Sequence, residues 1–327
     1  MNEISEDTVL VGDIGGTHSR FAVVDVSGLP RRIDHRLDLE GTFPSFNAAL
    51  RFYLDQAGLI VMPSAIAIAV AGPVTAGIVD LTNRAWRISE QDLLDFGFRH
   101  VLLINDFAAL AFSVSTLAPE EVHTLGPDVR GLTGEPISIL GAGTGFGASC
   151  LAQFRGRAVP IATEGGHSGF APGNDREAAI LGVLQRRFGR VSIERVLSGP
   201  GIENIHGALT EMAGRRDISL KAPDIIARRG EDSDCRETID IFCGIYGAVA
   251  GDFALAHGAR GGVFLAGGIA QKIEKILVAS TFRDRFEEKG RLSRYVKTIP
   301  TRLILSEDTT YLGTANASLE FRDRERS

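Results

Sequence analysis

The chain has 327 residues, 44% hydrophobic and 23% charged, with a formal net charge of −6, which is enough for two ordinary domains with real cores and argues against a nucleic-acid-binding surface. The longest apolar run, at 65–71, is far too short to cross a bilayer, and the acidic start MNEISEDT has no signal-peptide pattern. Cys150, Cys235 and Cys243 lack a CxxC spacing, so neither a disulfide framework nor a structural zinc site is expected, and a reducing cytoplasm fits best.

In chain order, residues 8–11 predict a strand, GDIGGT (12–17) a tight turn, and residues 20–26 a second strand. A helix is expected at 44–57, with Phe46, Leu50, Tyr53 and Leu54 on one face, then a strand at 65–71. A polar segment holding Asn83 and Trp86 leads into a helix near 89–96 and a strand at 101–104. The helix after Asp106 is apolar all round, which predicts burial.

The second half starts over: a strand at 136–140, the turn GAGTGFG (141–147) and a strand at 148–152. Placing Gly16-Thr17 on Gly143-Thr144 aligns the flanking apolar runs, and IAVAGP (68–73) has a counterpart in VFLAGGI (263–269). The repeat predicts an α/β chain of two domains of one topology around a cleft, with boundaries near 1–116 plus 308–327 for the smaller and 117–307 for the larger. Helices are expected at 174–188, at 200–213 (capped by Ser198, with Pro200 early), at 234–257 and near 308–322. Gly244, Gly247 and Gly251 lie on one face of the third, pointing either to close packing or to a nearby ligand. The last helix shows Leu312, Ala315 and Leu319 on one side and ends in a charged tail expected to fray.

Both glycine turns resemble phosphate cradles, because glycines let backbone N–H groups converge on an anion. No GxxxxGK[ST] loop occurs, and Phe146 stands where a dinucleotide fingerprint needs glycine. Each turn offers a threonine hydroxyl, Thr17 and Thr144. Asp13, inside the first turn, is either an Asx-turn residue or a carboxylate facing the phosphates through Mg²⁺, directly or via water.

Three polar islands complete the reading. In ATEGGHSGFAP (162–172), Glu164 and His167 suit hydrogen bonds to a polyhydroxylated ligand or a solvated turn, while Gly165-Gly166 makes a metal-binding helix improbable. Glu194 falls in the first turn of a short helix after Ser192, where an acidic residue is favoured by the helix dipole alone. In LLINDFAAL (102–110), Asn105 and Asp106 interrupt an apolar run, either as a helix cap or as the reactive end of an enzyme.

In this order DIGGT, INDF, GAGTGFG, EGGH, ERVLSGPG and GGVFLAGGI resemble the bacterial glucokinases of the hexokinase–actin-like ATPase superfamily, over nearly the entire chain. The resemblance implies a duplicated ribonuclease-H-like fold, a homodimer in the cytoplasm, and ATP-dependent phosphorylation of D-glucose at its 6-hydroxyl, the first step of glycolysis. It implies Asp106 as the catalytic base, and Asn105, Glu164, His167 and Glu194 as sugar ligands. Gly12, Asp13, Ile14, Gly15, Gly16 and Thr17 would form the first phosphate motif, and Gly143 and Thr144 belong to the second. Gly267 and Gly268, with the glycine-spotted helix before them, would wall the adenosine.

Two departures stand out: His18 replaces the asparagine common after the first motif, and the cysteine-rich zinc motif of the repressor–ORF–kinase branch is absent. Rival readings are a kinase of another hexose or amino sugar, a non-catalytic sugar sensor, and a chaperone-like ATPase. The last would not need the Glu164–His167 island.

Overall fold

The apolar stretch before the first glycine motif extends further than its sequence suggests. In the computed structural model, which describes residues 4–15, 19–39, 43–81, 86–215 and 219–326 (side chains from 6 to 323), it forms part of β1 (Ile4–Ile14). Expectations for Gly16, Thr17, His18 and Asn83 lie outside the described residues. The chain divides into two compact units, 1–117 with 306–327 and 118–305.

In the first unit, β1 pairs antiparallel with β2 (Ser19–Asp25), which pairs antiparallel with β3 (Arg32–Leu39). On its other side β1 runs parallel to β4 (Met62–Val70). A two-stranded ribbon, β5 (Ile78–Leu81) and β6 (Trp86–Ser89), precedes β7 (His100–Asn105), which runs parallel to β4. The sheet order is therefore β3-β2-β1-β4-β7. Val9, Leu10, Val11 and Ile14 are fully buried, as expected for a central strand covered on both faces.

Helix α1 (Phe46–Ala57) starts where the Ser45 hydroxyl accepts from Ala48 N–H at 3.2 Å and ends at Gly58, in the left-handed region. Its Phe46 and Tyr53 pack on Phe21, and Trp86 is buried in the same core, its Nε1–H donating to the Phe43 carbonyl at 3.0 Å. Helix α2 (Glu90–Phe96) is capped by Ser89, and α3 (Asp106–Ser113) follows β7 directly and is buried from Ala108 to Ser113.

The C-terminal helix, Thr309–Arg326, belongs to this unit and runs through the charged tail that was expected to fray. Its buried face also differs from the expected Leu312–Leu319 stripe. Tyr311, Gly313, Thr314, Ala315, Ala317 and Ser318 are buried, whereas Leu312 and Leu319 are half-buried. The reason is a close helix crossing: a Cβ on Gly313 would stand 2.1 Å from the Ala109 carbonyl oxygen of α3. Small residues let two helix backbones approach, and a leucine stripe there would hold them apart.

The second unit repeats the plan. β9 (Ile137–Ala142), β10 (Phe146–Phe154) and β11 (Arg157–Thr163) form an antiparallel meander. β12 (Gly262–Ala266) and β13 (Thr301–Ile304) add in parallel on the far side of β9, and β8 (Val122–Thr124) closes the edge against β13. The order β11-β10-β9-β12-β13 matches β3-β2-β1-β4-β7 strand for strand, including the sense of every pairing. This duplicated ribonuclease-H-like arrangement is the actin-like ATPase fold.

Between β11 and β12 lie α4 (Asp175–Phe188), α5 (Gly199–Met212), α6 (Ala222–Arg228) and α7 (Ser233–Ala256). Ser198 caps α5 through Gly201 N–H at 2.9 Å. α7 is long and apolar enough to span a membrane by composition, but 61% of its most apolar window is buried in this unit, the pattern of a core helix. Its glycine face is used for packing at two of three positions. Side chains at Gly247 and Gly251 would collide with the Phe282 and Phe286 carbonyl oxygens of the helix Phe282–Glu287.

Candidate active site

In the first unit, three parallel strands end side by side. Ile14 of β1 is level with Val70 of β4, and Val70 is level with Asn105 of β7. Ala71 N–H donates to the Ile14 carbonyl at 3.1 Å, and Asn105 Nδ2 donates to the Gly72 carbonyl at 3.3 Å. The carboxyl edge of a parallel sheet is where open α/β folds bind ligands, and here it is laced together by hydrogen bonds from strand to strand.

Asn105 and Asp106 are both tied to the start of α3. Asn105 is the N-cap of α3, its Oδ1 accepting from Phe107 N–H at 3.0 Å and Ala108 N–H at 3.2 Å. Asp106 is the first residue of α3, and its Oδ1 accepts from Phe107 N–H at 2.9 Å. The helix N-terminus stabilises a carboxylate there, so Asp106 is held in a fixed place at the strand end.

The first glycine motif divides differently from its sequence appearance. Gly12, Asp13 and Ile14 lie within β1 and pair with both β2 and β4, so their backbone belongs to the sheet ladders. Of the described residues, the turn itself begins at Gly15. Asp13 is half-buried next to it. Burial, and then the carboxylates of Asp38 and Asp13, push the Tyr311 hydroxyl up to about 12. The C-terminal helix that carries Tyr311 packs against β1, a neighbour that no sequence motif announced.

In the second unit the turn proper is Gly143-Thr144-Gly145, closed by Gly143 N–H donating to the Gly145 carbonyl at 2.8 Å. Thr144 is exposed. β9 and β12 are parallel, with Ala266 level with Gly141. Gly267 therefore follows at the same edge, with φ +91°, and caps α8 (Gly268–Lys272).

Two further segments converge on the residue that ends this turn, Phe146. The EGGH loop forms one 3-10 turn, Gly165–His167, whose tight pitch sets residues three apart on one side. Glu164 and His167 thereby come together, Oε2 to Nε2 4.0 Å, both well exposed and available to a ligand. Gly166 packs so closely that a Cβ would lie 2.1 Å from the Phe146 carbonyl oxygen.

The third segment carries Glu194 on the 3-10 turn Ile193–Arg195, and its Oε2 accepts from Phe146 N–H at 2.9 Å. The two segments are also bonded to each other. Ile193 N–H donates to the Ser168 carbonyl at 2.9 Å, and Phe170 N–H to the Val191 carbonyl at 3.0 Å. Phe146 is the hub of the constellation, and sequence reading assigned it no role. Its ring is buried at 5.9 Å from Tyr246, edge to face, in a pocket where full burial pushes the Tyr246 hydroxyl up.

Known proteins of similar sequence and fold include glucokinases and ROK-family proteins. The model of the family described as Glucokinase matches residues 10–320. The glucokinase of Caulobacter sp. (strain K31) is 46% identical over 312 residues, 94% of each chain. A solved glucokinase from an Antarctic psychrotroph superposes with a TM-score of 0.88 at 34% identity, covering 97% of this chain and 100% of that one. A ROK-family glucokinase from Streptomyces griseus, solved in complex with glucose and AMPPNP, has a TM-score of 0.63 at 18% identity, covering 95% and 98%, and bears on the fold alone. A family-model match over residues 10–320 and 46% identity over nearly the full length lead to one assignment: the chain belongs to the glucokinase family.

Proposed function

We propose that the chain transfers the γ-phosphoryl group of ATP to the 6-hydroxyl of D-glucose, with Asp106 as general base. The observation that carries this reading is the setting of Asp106, first in α3 and bonded to Phe107 N–H at the edge where β1, β4 and β7 end. A primary alcohol is a weak nucleophile. As its oxygen bonds to the γ-phosphorus and the bond to the ADP oxygen breaks, its proton passes to the Asp106 carboxylate. The products are ADP and glucose 6-phosphate.

Glu164 and His167, together on one side of their 3-10 turn, hold sugar hydroxyls, the carboxylate accepting and the imidazole doing either. Asn105 adds the second N–H of its Nδ2 to the sugar side. Backbone N–H groups of Thr144 and Gly145, with that of Gly15, stabilise charge on the moving phosphoryl group. Gly267 and Gly268 border the nucleotide.

Magnesium arrives as part of the nucleotide substrate. Among the described residues no group of three or more His, Cys, Asp or Glu side chains forms a cage. The half-buried Asp13 carboxylate at the end of β1 suits an ion that takes one or two carboxylates, waters and substrate phosphates. Asp13 would hold it directly or through water. Three cysteines, all buried and unpaired, accord with work in the cytoplasm.

A coupled assay of ADP release across glucose, mannose, fructose and glucosamine tests the assignment. Glucose should give the highest kcat/KM. A higher value for another sugar would move the chain to a different substrate, and ADP release independent of sugar would remove the kinase reading.

A further inference from the structure

Glu194 is placed where one carboxylate can serve two parts of the reaction. Its Oε2 accepts the N–H of Phe146, the residue that closes the Gly143-Thr144-Gly145 turn. A Cβ on Gly145 would lie 2.5 Å from that same oxygen, so the carboxylate rests directly on the turn backbone. The segment carrying Glu194 grips the turn at a second point, because Gly199 N–H donates to the Gly143 carbonyl at 2.8 Å.

The two grips are linked by Ser198. Its hydroxyl donates to the Glu194 carbonyl at 2.8 Å while accepting from Gly201 N–H at 2.9 Å, which fixes the start of α5 relative to Glu194. The turn is therefore clamped at both ends, at Gly143 and at Phe146, by one short stretch of chain, 194–199. A glycine-rich turn left to itself samples many conformations. A phosphate cradle must present its N–H groups in one of them.

We infer that Glu194 is a positioning residue for the phosphate turn. Through Oε2 it fixes the conformation of Gly143-Thr144-Gly145 for the nucleotide, and its other oxygen remains for a sugar hydroxyl. The carboxylate thereby ties sugar binding to the shape of the phosphate cradle. This rests on reading that turn as the cradle. A residue that only touched sugar would have no influence on nucleotide affinity when sugar is absent.

The test is the affinity of the full-length protein for MgATP, measured calorimetrically without any sugar, in the wild type, Glu194→Gln and Glu194→Ala. Glutamine keeps an oxygen that can accept from Phe146 N–H, and alanine does not. Losing a hydrogen bond to a charged group should weaken nucleotide binding by about tenfold or more in Glu194→Ala. Glu194→Gln should stay within about threefold of the wild type for MgATP, while its KM for glucose rises.

Unchanged sugar-free MgATP affinity in a folded Glu194→Ala overturns the inference, as does an equal loss in both variants. If Glu194→Ala does not fold, Glu194→Asp decides, its carboxylate one methylene short of Phe146 N–H: weakened sugar-free MgATP binding supports the inference, and unchanged binding overturns it. A wild type that binds no MgATP removes the cradle reading itself. A wild type that binds MgATP and phosphorylates glucose, with Glu194→Ala unaffected toward MgATP, removes only the positioning role.

Discussion

Asn105 Nδ2 donates to the Gly72 carbonyl at 3.3 Å while Asn105 Oδ1 accepts two N–H groups of α3. One amide thus caps the helix that begins with Asp106 and ties the end of β7 to the turn after β4. Replacing Asn105 by alanine removes both functions. The expected loss is about 1 kcal/mol, the usual value of an N-cap, read from urea unfolding. Serine at the same position should recover most of it, since a hydroxyl can cap α3. Equal stability of wild type and Asn105→Ala would show that the cap does not hold the strand end.

Glu164 and His167 share one face of a 3-10 turn, exposed and 4.0 Å apart. Removing either should affect the sugar and spare the nucleotide. Glu164→Gln and His167→Ala are each expected to raise KM for glucose by roughly tenfold, the size of one lost hydrogen bond to a charged group, with KM for ATP nearly unchanged. Steady-state kinetics with each substrate varied in turn checks this. Equal increases in both constants would count against direct sugar contact.

His257 follows α7, with its Nδ1 2.8 Å from the hydroxyl of the fully buried Ser138. Burial lowers the His257 pKa. The unfolded chain, with its histidine near about 6.5, therefore takes up a proton at a pH where the folded chain does not. The contribution of His257 to stability is complete above about pH 6.5 and is lost as pH falls toward the lowered folded value. The depressed carboxyls of Asp25 and Asp232 titrate in the acid range, outside this window. Unfolding free energies at pH 7.5 and 5.5 should differ less in His257→Gln than in the wild type, and an equal difference would contradict the assignment.

Much of the fold was legible because its signals are local. Two apolar runs around GDIGGT and two around GAGTGFG exposed the repeat, and the sheet orders bear it out. Ser198, Pro200 and the helical periodicity placed the three long helices of the second unit, α4, α5 and α7, to within a residue. Strands β3, with the sequence RIDHRLDL, and β11 escaped notice because they are sheet edges, where charged and apolar residues mix. The small-residue face of the C-terminal helix was equally silent, since Gly313 has meaning only beside the Ala109 carbonyl.

The site divides along the same line. Motifs marked Asp106, Glu164, His167 and Glu194 as chemistry-bearing, but not what holds each of them. The Glu194–Phe146 bond spans 48 residues, and no window of sequence contains both ends. The C-terminal helix packed on β1 is a still longer-range neighbour. The extent of β1 was misjudged because Gly12 has a poor strand propensity, which its two ladder partners override.

The base assignment of Asp106 is tested most directly by Asp106→Asn, assayed for glucose 6-phosphate formation at saturating ATP and glucose, with glucose binding measured by calorimetry on the same protein. Turnover should fall by about 10²–10⁴-fold, the range for a lost general base, while glucose affinity stays within a few-fold of the wild type. Near-normal turnover in a protein that still binds glucose would contradict the mechanism.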